Sequence, residues 1–88
     1  MLFMVIFSFR PENRDAVLAR FRETGGVPPD GVRQVGRWHD AGLNRGFALA
    51  ETDSPESAAK WCHRWADLIS FEVVPVFDDE GLKKVISS

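Results

Sequence analysis

A strand written through residues 71–77, FEVVPVF, sends Phe71, Val73, Pro75 and Phe77 to one side and Glu72, Val74 and Val76 to the other. Residues 2–9 repeat this two-sidedness, with Leu2, Met4, Ile6 and Ser8 set against Phe3, Val5, Phe7 and Phe9. Side chains alternate along a strand, so a half-solvated antiparallel sheet shows polar residues at every second position. Here both faces demand cover. The chain has 88 residues, the length of a single domain over residues 1–88, and its 44% hydrophobic and 27% charged content is ordinary for a globular protein. A domain of that size buries only about two-thirds of its unfolded surface. Cys62 is the sole cysteine and only two histidines are present, so neither disulfides nor a metal cluster is expected to add stability. Oligomerisation is the remaining means.

The other segments place these strands in an order. Pro11 starts a helix over residues 12–23, with Val17, Leu18 and Phe21 on one side, and Gly25-Gly26 ends it. Residues 32–39 form a less apolar strand. Strict alternation puts Arg33, Val35, Arg37 and His39 on one face and Val32, Gln34, Gly36 and Trp38 on the other. Its charges and glycine suit a sheet edge. Residues 40–46, DAGLNRG, read as a hairpin loop, and residues 47–52 as the returning strand. Ser54-Pro55 opens a second helix that carries Trp61, Trp65 and Leu68 at i, i+4 and i+7. The strand at 71–77 closes a core over residues 1–77. Residues 78–88 form a tail or short helix, with Leu82, Val85 and Ile86 expected inward and Gly81 opposing helix formation.

The order β-α-β-β-α-β is that of the ferredoxin-like α+β fold, a four-stranded antiparallel sheet with both helices on one face. The two-sided strands then acquire a meaning. Leaving several Val, Phe and Leu side chains exposed forfeits about 1.5–3 kcal/mol each, and soluble monomers rarely display such a patch. Either a second copy covers the open face in a two-fold homodimer, sheet against sheet, or the C-terminal tail folds over it. Because both strand faces are apolar, the pattern leaves open which one meets the helices.

Four stretches, MLFMVIFSF, FRETGGVPPDGVRQVGRW, FALAETD and KWCHRWADLISFEVVPV, resemble a family of short bacterial proteins known as a domain of unknown function. That family falls in the dimeric α+β barrel group. The resemblance implies the fold and the dimer. The wider group includes cofactor-independent monooxygenases, muconolactone isomerases and haem enzymes, but the family itself brings no assigned activity.

Composition excludes some partners. Net charge is −2 with acids and bases interleaved, so no basic tract tracks nucleic acid. The apolar start is too short to span a bilayer and lacks the basic flank of a secretory signal. One unpaired thiol suits a reducing cytoplasm.

Chemistry-bearing residues are few. Trp38, Trp61 and Trp65 are expected to wall a pocket between helices and sheet for a flat apolar or aromatic ligand, or to fill the core. Glu51 is the polar handle of that pocket if its strand face is inward; otherwise it sits wet at the strand end or pairs with an arginine, Arg10 and Arg37 being the candidate partners. His39 and Glu51 are the candidates for moving protons, with His39 otherwise a surface residue. Cys62 lacks an activating partner, and no phosphate-binding glycine loop occurs, since Gly25-Gly26 follows a helix rather than preceding one. No cofactor is implied. Three readings follow: a small-molecule-binding homodimer, a cofactor-free monooxygenase or isomerase using the same pocket, and an interaction module whose only activity is assembly.

Overall fold

The structure is a computed structural model that describes residues 1–87; Ser88, the end of the expected tail, lies outside the described residues. Four strands, β1 (Leu2–Ser8), β2 (Arg33–His39), β3 (Arg45–Glu51) and β4 (Ser70–Val76), form one antiparallel sheet in the order β2-β3-β1-β4. The helices are α1 (Arg14–Thr24), preceded by a 3-10 turn at Pro11–Asn13, then α2 (Pro55–His63) and α3 (Asp79–Ile86). This is the ferredoxin-like α+β order followed by a third helix.

Local chemistry accounts for the boundaries. At the end of α1, Gly25 adopts φ +71°, the left-handed conformation that glycine enters without a Cβ clash, and its N–H bonds the Phe21 carbonyl. The Ser54 hydroxyl accepts from the Ser57 N–H at 3.2 Å, with Pro55 at the first helical position of α2. This helix is shorter than the tryptophan spacing implies. Beyond His63 the chain tightens into turns in which the Trp65 N–H bonds Cys62 O and the Leu68 N–H bonds Trp65 O, the i→i+3 pattern common at helix ends.

Register decides which face is covered. Phe3, Val5 and Phe7 of β1 pair with Ala50, Ala48 and Gly46 of β3 and with Pro75, Val73 and Phe71 of β4. Phe3, Val5, Ala48 and Ala50 are buried beneath the helices. Small residues on the inner face of β3 make room for a large one above, and Trp61 packs against Val5, Val32, Ala48 and Ala50. A second cluster joins Val17, Trp65 and Ile69. An exposed brace links these elements: Arg20 of α1 meets both carboxylate oxygens of Asp67 at 2.8 and 2.7 Å and stacks 5.4 Å above Trp65.

The opposite face carries Leu2, Met4, Ile6, Phe47, Leu49, Val74 and Val76, all half-buried. The α3 helix does form, with the Asp78 carboxylate capping it at the Gly81 N–H, 3.0 Å away. Its apolar stripe is not inward as expected: Leu82, Val85 and Ile86 are 46, 59 and 73% exposed. A helix laid across the open sheet would bury that stripe. The chain is instead elongated, 48 Å in its longest dimension, with a radius of gyration of 14.3 Å, where a compact chain of this length has about 12 Å.

Candidate functional site

An apolar cavity of about 270 Å³ lies between helices and sheet, bounded by members of both core clusters. Its floor is Val5 and Phe7 of β1, Ala48 of β3 and Phe71 of β4; its roof is Val17 and Phe21 of α1 with Trp61, Trp65 and Ile69. Ala48 sits where a larger side chain would fill this space. Ligand pockets generally combine apolar walls with a few placed polar groups. Here the polar lining residues are Arg37, His39 and Arg45, and no Asp or Glu is among them; the Arg45 guanidinium itself lies 5.3 Å over the Phe47 ring, on the outward face of β3.

Each of these groups is held by identifiable contacts. The Arg37 guanidinium donates to Gly26 O at 2.9 Å and Gly25 O at 3.0 Å, and lies 4.7 Å over the Phe21 ring. Burial pushes its pKa down. Gly26, at φ +61°, permits this approach, because a Cβ there would fall 2.7 Å from Arg37 Nη1. The His39 ring meets Phe7 and Phe21 edge-on, with centroids 5.8 and 6.0 Å away. Arg45 pairs with Asp40 at 3.7 Å. The Cys62 thiol also lines the cavity, half-buried, and desolvation pushes its pKa up, the direction that suppresses thiolate chemistry. Among the described residues, no group of three or more His, Cys, Asp or Glu could hold a metal ion.

The five residues singled out from the sequence divide across the sheet. Trp61, Trp65 and His39 line the cavity. Trp38 and Glu51 do not. Trp38 is 57% exposed on the opposite face, paired with Phe47 and lying over Gly36. The cause is a β-bulge between Gln34 and Gly36. One extra residue in a strand reverses the alternation beyond it. Arg37 and His39 therefore turn inward with Gln34, and Trp38 turns outward with Arg33. Glu51 shares a face with Phe47 and Leu49 as expected, but that is the face away from the helices. There it is exposed and pairs with Arg33 at 3.3 Å, rather than with Arg10 or Arg37.

Sequence reasoning passed over Arg37, Phe21 and Cys62 as cavity residues. One signal was available: Arg37 and His39 are two apart on one strand and so share a face on any register.

In fold the chain is similar to a solved structure described as "Putative antibiotic biosynthesis monooxygenase from Nitrosomonas europaea", with 12% identity and a TM-score of 0.51 over 89% of this chain and 100% of that one. At that identity the likeness concerns the fold alone. Among curated proteins none matches the chain. The model of a domain of unknown function, DUF3303, matches residues 1–88, and the chain belongs to that family.

Proposed function

We propose that the protein is a homodimeric small-molecule-binding domain spanning residues 1–88, acting in the cytoplasm on an apolar or aromatic ligand. The observation that carries this reading is the cavity of about 270 Å³, walled by Trp61, Trp65, Phe7, Phe21 and Phe71 and with only three polar residues among its lining. The dimer reading rests on the open sheet face, where seven apolar side chains are half-buried and α3 leaves its own stripe exposed. Among the described residues no helix is long and apolar enough to cross a membrane.

Tryptophan fluorescence tests ligand entry. A Trp38→Phe variant removes the emitter on the far face and keeps the two on the cavity wall. Titration with aromatic and quinone-like compounds should change its emission. Ala48→Leu, which projects into the cavity, should abolish the change. Silence across the whole panel refutes the binding reading.

His39 at the cavity wall favours a second reading, a cofactor-free monooxygenase or isomerase in which this imidazole moves a proton. Glu51 faces the other way, so that reading rests on His39 alone. Turnover of a bound compound that His39→Gln abolishes, with binding retained, would favour it over simple binding.

A further inference from the structure

Charge around the cavity is one-sided. Its polar lining residues are Arg37, His39 and Arg45, and no lining residue is an Asp or Glu. Arg45 already has a counter-ion, Asp40. Arg37 takes part in none of the ion pairs among the described residues, which join Asp53, Asp67, Glu51, Asp40 and Glu80 to other cations. Its partners are the Gly25 and Gly26 carbonyls at the end of α1. Those dipoles orient the guanidinium without neutralising it. Arginine carries five N–H donors in a fixed fork, and these two bonds leave donors uncommitted. The loop is shaped around this group, since Gly26 combines a positive φ with an approach to Arg37 Nη1 that a side chain would block. A half-buried cation without a counter-ion, beside an apolar cavity, is a preformed place for an anion.

Building on the binding reading above, we infer that the cavity takes an aromatic or apolar molecule bearing one planar oxyanion, such as a carboxylate, which pairs with Arg37 while the hydrocarbon body lies between Trp61, Trp65 and the sheet. His39, on the same strand face two residues along, flanks that position. The arrangement selects against neutral compounds of the same shape, which leave the guanidinium unpaired.

Isothermal titration of the intact protein with 2-naphthoate and its neutral isostere 2-naphthamide tests this. Hydrogen bonds to charged groups contribute about 1.5–3 kcal/mol, so the carboxylate should bind roughly tenfold to a hundredfold more tightly. The preference should vanish in Arg37→Gln and survive in Arg33→Gln, a cation on the far face of the sheet paired with Glu51, with folding of each checked by circular dichroism. Naphthamide binding as tightly as naphthoate to the unaltered protein overturns the inference and leaves the binding reading standing. A preference lost in Arg33→Gln, or kept in a folded Arg37→Gln, overturns the assignment to Arg37. If neither compound binds, this inference fails together with the cavity reading. The comparison on the unaltered protein decides the matter even if Arg37→Gln does not fold.

Discussion

Val74 offers a sharp test of how the open sheet face is covered. It lies on β4, half-buried, opposite Met4 on the face away from the helices. In a two-fold dimer built on this face, Val74→Asp enters the interface twice. Fully burying a valine yields about 1.5–3 kcal/mol. Half of that is already realised within one chain, so the two copies together lose about 2 kcal/mol. Each carboxylate must also leave water for an apolar surface, a penalty of several kcal/mol per ion after relaxation. A conservative total of about 5 kcal/mol raises the dissociation constant roughly three to four orders of magnitude. A micromolar dimer becomes a millimolar one. Within the isolated chain the change acts chiefly through strand propensity, about 1 kcal/mol or less. Sedimentation velocity at a concentration well above micromolar and well below millimolar should therefore show the mass of two chains for the parent and of one for a folded Val74→Asp. Val73→Asp is the control: it is one residue away, points to the helix side and is already exposed, so it should leave the dimer intact. A parent that sediments as a single chain, or a Val74→Asp protein that sediments as the parent does, refutes the assembly.

Two further outcomes follow from local chemistry. The Arg20 guanidinium, hydrogen-bonded to Asp67, holds that carboxyl below its usual range. A depressed carboxylate pKa adds stability above the unfolded value, about 3.9 for aspartate, and that stability is lost as pH falls through the folded value. The urea midpoint of the parent should exceed that of Asp67→Asn at pH 7, and the gap should close on acidification; a gap that persists in acid counts against the pair. The Cys62 thiol lines the cavity with a pKa raised by burial. Iodoacetamide should alkylate it more slowly than a free cysteine, and more slowly again with ligand bound. Rapid labelling unaffected by ligand would place the thiol outside the occupied space.

Much of the architecture was legible in one dimension because it rests on short-range rules. Proline and serine at helix starts, Gly25 at a helix end and period-two alternation in β1, β3 and β4 act within a few residues, and each appears where the pattern implies. The apolarity of both sheet faces was legible as well, and the structure leaves one of them without a helix across it. Three matters lay outside the reach of sequence. Which face the helices take depends on steric fit, and Ala48 and Ala50 beneath Trp61 resolve it only once register is known. The bulge after Gln34 depends on how β2 pairs with β3; it exchanges Trp38 for Arg37 and His39 at the cavity, while Glu51 is absent from it because its face of β3 turns away from the helices. The exposure of α3 could not be read from its own amphipathic pattern, which would suit a buried helix equally well, yet Leu82, Val85 and Ile86 are exposed. Alternation and capping are properties of a segment, whereas register, facing and cavity shape arise between segments, so only the assembled sheet and helices decide them.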